Sequence, residues 1–264
     1  MNPPASSLAH SAVRALLDEL ELFPKPGLVS PIDSGSHSDM DYALLRKSAL
    51  SLQPAFEELA QAGAEGAAFD SRLVPIGLRA EKNMLATTGG VNTHRGAIFA
   101  MGLLVAAAAS AGKNASPSQI RATLLSTWGN DLLRHARKSA GRPDIARGAR
   151  EEASLGFPSI FELALPRFQS LLASGISESH AALETLFALI ATIHDTNVLH
   201  RGGVAGRHIA RQRAQAWLEA GGIANPEYHT LALEIHREFI ALNISPGGAA
   251  DLLAGTLFVH RATS

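Results

Sequence analysis

Residues that could do chemistry occur in four polar segments that interrupt an otherwise apolar, helical sequence. These segments hold carboxylates, which serve as general bases and as oxygen ligands of metal ions, together with Lys, Arg and His, which balance anions. We expect a site of polar chemistry where the fold brings them together. The segments are FPKPGLVSPIDSGSHSDMDY (23–42), TTGGVNTHRGAIF (87–99), ARGAREEASLGFPS (146–159) and IATIHDTNVLHRGG (190–203).

The segment 87–99 has the composition of an anion site at the start of a helix. Gly89 and Gly90 allow the backbone to approach a ligand, and Asn92 or Thr93 can cap the helix that follows. Free N–H groups and the helix dipole favour an anion there, and Arg95 adds a positive charge. The alternative is an ordinary turn and cap with a surface Arg. The chain contains neither a Walker A sequence nor GxGxxG, so this would not be a familiar phosphate loop.

Each of the other three segments also has an ordinary structural interpretation. The segment 23–42 contains Lys25 and three stiffening prolines, and it is either functional or a solvated surface loop. Asp195 follows an apolar run and should lie on a buried helix, where a carboxylate must be paired, hydrogen-bonded or bound to a metal. Alternatively it caps a neighbouring helix or pairs with Arg201. The charges of 146–159 could form a solvated face.

The elements that must position these segments are predicted to be helices. Aromatic residues make up only 5% of the chain, Ala and Leu are abundant, and no segment alternates long enough to be a strand. The uncharged run 97–111 is shorter than the ~20 residues of a membrane span, so it predicts a helix buried on all sides. Ser116 should cap a helix that starts at Pro117. Other helices are expected at 7–22, 41–62, 71–87 and about 94–111 and, after a polar connection from His135 to Arg150, at about 158–173, 177–199, 204–220, 227–241 and from 245.

These patterns predict an all-α fold, a single compact domain over 1–264 of about ten helices with a buried central helix. The formal net charge of -1 gives no general footprint for nucleic acid or for an anionic membrane. The absence of Cys excludes disulfides, zinc-thiolate sites and cysteine nucleophiles, and is compatible with a reducing cytosol. The N-terminus lacks the pattern of a secretory signal. We therefore expect a cytoplasmic protein without nucleic-acid or membrane partners.

Five motifs, in this order, resemble the triphosphoribosyl-dephospho-CoA synthases. They are PKPGLV with SHSDMD, AEKNMLATTGGVNTHRGAIFAMGLL, GAREEASLGFPS, DTNVLHRGG and NISPGGAADLLAGTLF, which together span about residues 20 to 260. The resemblance implies an all-helical enzyme that makes the precursor of the prosthetic group on the acyl carrier protein subunit of malonate decarboxylase or citrate lyase. The chain length and the GAREEA segment favour malonate decarboxylase. Glu151 departs from the family, which often has Gly in RGEA, whereas Glu152 and Ala153 are kept.

The reaction that the resemblance implies is a pentosyl transfer. The 2′-hydroxyl of 3′-dephospho-CoA attacks ribose C1′ of ATP, adenine leaves, and the triphosphate stays on the product. An oxocarbenium-like state needs a carboxylate near C1′ or a base on the attacking hydroxyl. We assign catalysis to Asp39, Asp195 and Glu81, with Asp39 or Asp195 as the general base. The same three carboxylates are the predicted oxygen ligands of Mg²⁺.

Nucleotide binding is assigned to cations, polar side chains and backbone donors of the same motifs. Two alternatives are a helical metal-dependent phosphohydrolase of the His-Asp type, suggested by His194 and Asp195, and a non-catalytic adaptor that holds an acyl carrier protein. Only the enzyme hypothesis predicts that residues 25, 39, 81, 90, 95, 195 and 201 line one pocket. The many apolar helices also suggest a homodimer. The predicted binding residues are Lys25, His37, Asp41, Gly89, Gly90, Asn92, Thr93, His94, Arg95, Arg147, Glu152, Asn197 and Arg201.

Overall fold

A computed structural model describes residues 4–139 and 148–264. This part of the chain contains no β-strand, so the all-α prediction is confirmed. Short π-helical turns (Phe69–Leu73 and Ser159–Ala164) precede two of the α-helices, and a 3₁₀ turn spans Gly222–Ala224. The α-helices are α1 (Ala5–Glu21), α2 (Tyr42–Ser51), α3 (Gln53–Ala64), α4 (Val74–Thr87), α5 (Arg95–Ala111), α6 (Pro117–Ser139), α7 (Gly148–Ser154), α8 (Leu165–Ala173), α9 (Glu178–Thr192), α10 (Thr196–Glu219), α11 (Tyr228–Ala241) and α12 (Gly247–Thr263).

Helix α5 lies at the centre, as its uncharged sequence predicts. Its residues from 100 to 109 are all buried, and α1, α3, α6 and α12 pack around it. Small side chains permit this close packing: a Cβ at Gly63 of α3 would lie 2.2 Å from the carbonyl oxygen of Ala106. Helix α5 is therefore the central helix against which α1, α3, α6 and α12 pack.

Among the residues described, no helix combines the length and the apolar character needed to cross a membrane.

Two of the predicted helices are interrupted in the structure. The predicted helix 41–62 is two helices, because α2 ends at Ser51 and α3 starts at Gln53 with Pro54 in its first turn. The predicted helix 177–199 is also interrupted, since α9 ends at Thr192 and α10 begins at Thr196. His194 and Asp195 thus occupy a break between helices. Helix α10 then continues to Glu219 through a non-helical Gly203.

The polar connection predicted from His135 to Arg150 is shorter than expected. Helix α6 begins at Pro117, with the Ser116 hydroxyl accepting from the Gln119 N–H at 3.3 Å, and it continues through His135. Arg150 already belongs to α7. Arg147, a predicted binding residue, lies outside the described residues.

The loop between α1 and α2 packs against the segment that joins α11 to α12. The Ser36 hydroxyl donates to the carbonyl oxygen of Ile244 at 2.7 Å, and Arg201 donates to the carbonyl of Ser36 and, at 2.6 Å, to Oδ1 of Asn243. Gly27 has φ of +64°, and a Cβ there would lie 2.0 Å from the Ile244 oxygen. These contacts hold the first polar segment beside the start of α12.

Candidate active site

The polar segments meet at one cavity of about 1030 Å³. Its walls come from the loop after α1, from α4, from the start of α5, from α7, from the break between α9 and α10, and from the start of α12. Of the seven residues that the enzyme hypothesis places in one pocket, Gly90 does not line this cavity. The other six do: Lys25, Asp39, Glu81, Arg95, Asp195 and Arg201.

Three helices begin at the wall of the cavity. The first residues of α5 (Arg95 and Gly96), of α10 (Thr196 and Asn197) and of α12 (Gly247) all line it. A helix N-terminus carries free N–H groups and a positive partial charge, which favour an anion. The cavity therefore has an end that suits phosphate groups, and this end is formed by three segments far apart in sequence.

Asp195 connects two of these helix starts. Its Oδ1 accepts from the N–H of Asn197 at 2.8 Å and of Val198 at 3.3 Å, and its Oδ2 accepts from the N–H of Ala249 at 3.0 Å. The N–H of Gly248 also donates to this carboxylate. Burial raises the pKa of Asp195, and the four backbone hydrogen bonds limit that rise. The structure thus corresponds to the capping alternative, and the two oxygens are already engaged.

Asp251, which the sequence analysis did not select, is the carboxylate of the cavity without a hydrogen bond. It lies in the first turns of α12, and no residue among those described donates to it. Its Oδ2 is so close to Gly96 that a Cβ at that position would be 2.0 Å away. Burial raises the pKa of Asp251 well above its usual value, and the charges of Asp195 and Glu19 raise it further. A carboxylate within the apolar run AADLLAGTLFV was the available sequence signal.

Lys25 and His94 are both buried beside the cavity. The Nζ of Lys25 contacts Oε1 of Glu19 at 2.6 Å and the Glu19 carbonyl oxygen at 2.8 Å, and burial lowers its pKa. The Nδ1 of His94 lies 2.8 Å from the Ser48 hydroxyl. Burial and the nearby Lys25 lower the pKa of His94 to about 4. The expectation that His94 supplies a positive charge is therefore wrong at neutral pH.

Arg95 and Glu81 form an ion pair at the cavity. The Nε of Arg95 lies 2.6 Å from Oε1 of Glu81, so α4 and α5 are joined across the site. Glu81 is consequently paired with a cation and is not a free base. Its partner Arg95 remains more than half exposed and keeps donors directed to solvent or ligand.

His37 and Asp39 of the loop after α1 form part of the rim together with Arg201 of α10. The Nε2 of His37 lies 2.8 Å from the Ser245 hydroxyl, and its Nδ1 lies 3.5 Å from Oδ1 of Asp39. Burial and the adjacent Arg201 lower the pKa of His37. The Asp39 side chain is 56% exposed. Asp39 is therefore an accessible carboxylate at the mouth of the site.

The glycine pair does not form the predicted phosphate cradle. Gly89 and Gly90 adopt φ of +67° and +95° after the end of α4, and the Gly90 N–H donates to the Leu85 carbonyl at 2.8 Å. This is the left-handed backbone that commonly terminates a helix. Both glycines are exposed outside the cavity lining.

The polar residues after the glycines still line the site. Oδ1 of Asn92 accepts from the Arg95 N–H at 3.2 Å, as a cap would, whereas the Thr93 hydroxyl contacts the Ser48 hydroxyl at 2.6 Å. Both line the cavity. Asp41 lies outside it, because its side chain caps α2 through the Leu44 N–H at 2.8 Å.

Glu152 and Asn197 both line the cavity. Oε1 of Glu152 accepts from the Ser159 N–H at 2.6 Å, and burial raises its pKa. Asn197 packs on Gly247, where a Cβ would lie 2.8 Å from its Nδ2. Both side chains therefore support neighbouring helix starts.

The three predicted magnesium ligands do not come together. Among the residues described, no three His, Asp or Glu side chains are grouped closely enough to hold a metal ion. Asp195 is engaged by backbone donors, Glu81 by Arg95, and Asp39 lies at the rim beside His37. These residues do not fit a magnesium site formed by the protein alone.

The cavity lining also includes apolar positions of α4 and α5 beside the Arg95–Glu81 pair, which we call the apolar groove. The two helices are antiparallel here, because Met84 meets Thr93 and, one turn earlier in α4, Glu81 meets Arg95. The next positions along this pair are apolar and also line the cavity, over about 12 Å of α5. They include the 62% exposed Leu78. The groove is lined by Leu73, Val74, Gly77, Leu78, Phe99 and Leu103, with Leu155 of the neighbouring segment.

Comparison with known proteins gives consistent matches over the full chain. A family model described as ATP:dephospho-CoA triphosphoribosyl transferase matches residues 5–142 and 129–264. A probable 2-(5′′-triphosphoribosyl)-3′-dephosphocoenzyme-A synthase of Pseudomonas fluorescens is 45% identical, with 98% of this chain and 92% of that protein covered. The corresponding synthase of Klebsiella pneumoniae is 42% identical over 97% of this chain and 94% of its own length. No solved structure matches.

Proposed function

The chain belongs to the ATP:dephospho-CoA triphosphoribosyl transferase family, and on that premise we propose that it transfers the 5-triphosphoribosyl group of ATP to the 2′-hydroxyl of 3′-dephospho-CoA. The C1′–N9 bond of ATP breaks, adenine leaves, and the hydroxyl oxygen forms the new bond to C1′. The observation that carries this assignment is the combination, in one cavity, of an end suited to phosphates and an apolar groove.

The triphosphate occupies the end of the cavity where α5, α10 and α12 begin. The first residues of these helices line a space that Lys25, Arg95 and Arg201 also line, and the positive ends of the three helix dipoles lie there. Charge-assisted hydrogen bonds from Arg to phosphate are about twice as strong as neutral ones. We propose that magnesium arrives bound to ATP and not at a preformed protein site. A magnesium ion held by substrate phosphates needs only one or two protein carboxylates, and several carboxylates share this cavity.

The pantetheine arm of dephospho-CoA occupies the groove between α4 and α5. That arm is largely uncharged, and so is the groove beyond the Arg95–Glu81 pair. Exposed Leu78 and Leu155 would lose water contact when the arm binds, which favours binding by about 25 cal/mol per Å² of apolar surface covered. The adenosine end of dephospho-CoA then faces the polar end, where its 2′-hydroxyl meets C1′.

Asp39 accepts the proton of the attacking hydroxyl in this proposal. It is an accessible carboxylate at the rim, and its Oδ1 lies 3.5 Å from Nδ1 of His37. Asp195, the other predicted base, has four backbone N–H groups on its carboxylate. We therefore keep Asp39 and assign Asp195 to holding the helix starts.

The direct test is release of adenine. Purified protein is incubated with ATP, Mg²⁺ and 3′-dephospho-CoA, and free adenine and the mass of the product are measured. We expect adenine only when both substrates and Mg²⁺ are present, and a loss of about 10²- to 10⁴-fold in Asp39→Asn. Glu238→Gln, which changes a half-buried carboxylate on α11 that pairs with Arg213 outside the cavity lining, is the matched control. Absence of adenine release from the wild-type protein would reject the function.

The product further serves, we propose, as the precursor of the prosthetic group on the acyl carrier protein subunit of malonate decarboxylase. The GAREEA segment supports this choice over citrate lyase. Deleting the gene should abolish growth on malonate and leave growth on citrate unchanged. The opposite growth pattern would assign the protein to citrate lyase.

A further inference from the structure

We propose that Asp251 is the acid that protonates adenine as it leaves. This inference rests on the proposed function and adds a catalytic residue that the motif comparison did not select. It starts from a difference among the carboxyl groups of the cavity in their hydrogen-bond and ion-pair partners. Glu19, Glu81, Glu152 and Asp195 each have a strong partner in the structure, whereas the half-buried Asp251 has none among the residues described.

The partners of the neighbouring carboxylates show this difference. Glu19 binds the buried Nζ of Lys25 at 2.6 Å. Asp195 accepts four backbone N–H groups. Glu152 accepts the Ser159 N–H at 2.6 Å. Asp251 instead faces the cavity with its oxygen pressed against Gly96, where even a Cβ would lie only 2.0 Å away.

An ionised Asp251 would be costly in this place. It would lie near the charges of Glu19 and Asp195, and no described residue donates a hydrogen bond to it. Retaining its proton avoids that cost, and the raised pKa of Asp251 is consistent with a protonated side chain. The other titratable groups that line the cavity around it are Lys25, His37, Asp39, Glu81, His94, Arg95, His135, Arg150, Glu151, Glu152, His194, His200 and Arg201.

A protonated carboxyl supplies what the leaving group needs. When the C1′–N9 bond breaks, its electron pair passes to adenine, which would leave as an anion unless a ring nitrogen receives a proton. Asp251 donates that proton and becomes a carboxylate. The hydroxyl of dephospho-CoA loses its own proton to Asp39, so the protons balance after Asp39 and Asp251 exchange with solvent.

Two carboxyl groups thereby perform opposite tasks because their surroundings differ. Asp39 is exposed at the rim, whereas Asp251 lies inside the cavity, where burial and the charges of Asp195 and Glu19 raise its pKa. Environments that separate two carboxyl groups in this way define acid and base in other glycosyl-transfer sites. Gly96 contributes by leaving room for the Asp251 carboxyl at the start of α5.

The experiment compares two leaving groups in Asp251→Asn. With ATP we expect the variant to lose about 10²- to 10⁴-fold in kcat/KM. With 4-nitrophenyl riboside 5′-triphosphate, whose phenolate leaves without a proton, we expect the variant to stay within about threefold of the wild type. Glu238→Gln should match the wild type with both. Equal losses with both donors, or a normal rate with ATP, would overturn the role of Asp251.

A second measurement needs only the wild-type protein and so does not depend on folding of the variant. The pH profile of kcat/KM with ATP should fall on the alkaline side as Asp251 loses its proton, and the profile with the nitrophenyl donor should lack that fall. Identical alkaline limbs would contradict the proposal. Failure of the wild type to release adenine from ATP would instead reject the proposed function itself.

Discussion

Removing the Asp195 carboxylate should destabilise the protein more than removing an ordinary helix cap. In Asp195→Ala, α10 and α12 both lose their cap, and the buried N–H groups of Val198 and Ala249 lose their acceptor. Two caps contribute about 2 kcal/mol, and each buried donor left unsatisfied costs about 1–3 kcal/mol, partly overlapping with the cap term. We expect the free energy of unfolding to fall by about 3–5 kcal/mol.

Asp195→Asn tests the same geometry with a smaller change. Its Oδ1 can still accept from the Asn197 and Val198 N–H groups, but its NH₂ group would face the Ala249 N–H, donor against donor. We expect a loss of about 2 kcal/mol. Asp41→Ala is the matched control, because Asp41 caps only α2, through one exposed hydrogen bond. It should cost about 1 kcal/mol.

Urea and thermal unfolding measure these differences directly. For a chain of this size, the expected loss in Asp195→Ala corresponds to a fall in Tm of about 10 °C. The reasoning is refuted if either Asp195 variant unfolds no earlier than Asp41→Ala. If adenine release then fell while Tm stayed at the wild-type value, Asp195 would act in the chemistry and not as a cap.

Three other predictions concern the cavity. Gly96→Ala should lower kcat/KM for adenine release by about 100-fold, since its Cβ would lie 2.0 Å from Oδ2 of Asp251. Gly129→Ala on α6 is the control, because the nearest atom to its Cβ is 3.8 Å away. Equal rates in the two variants would contradict the close packing of Asp251 on Gly96. The wild type should lose stability relative to Asp251→Asn as the pH rises above the usual pKa of Asp. The reason is that Asp251 has a raised pKa in the folded state, so the unfolded state gives up its proton more readily. Urea midpoints that keep a constant difference between the two proteins from pH 4 to pH 8 would count against this. Burial of neutral His94 should contribute about 3 kcal/mol above pH 6.5 that is lost as the pH falls through about 4, and His94→Gln should flatten that part of the stability profile, measured by urea unfolding.

The elements with strong local signals could be predicted from the sequence. The uncharged run that became α5 needed only its composition, and the start of α6 needed only Ser116 followed by Pro117. The glycine pair was misassigned because Gly89 and Gly90 satisfy two local descriptions equally well. A helix stop and an anion loop both use left-handed glycines, and only the Gly90–Leu85 hydrogen bond distinguishes them.

The arrangement of the carboxylates depended on distant contacts and could not be predicted. Asp195 meets Ala249, 54 positions away, so no local pattern indicates that one carboxylate caps two helices. Asp251 lies in an apolar helix whose sequence resembles core, and its role depends on Gly96 of α5 and on charges from α1 and α10. Whether an acidic residue is satisfied or left without a partner is a property of the assembled fold.

The position of α12 has a consequence for protein synthesis. This helix carries Asp251 and supplies the backbone donors that complete the bond network of Asp195, and it packs against α1, which precedes it in the sequence. Because chains emerge from the ribosome N-terminus first, the cavity cannot be complete while α12 is still in the exit tunnel. Nascent chains should therefore be unable to bind ATP productively until α12 has left the tunnel.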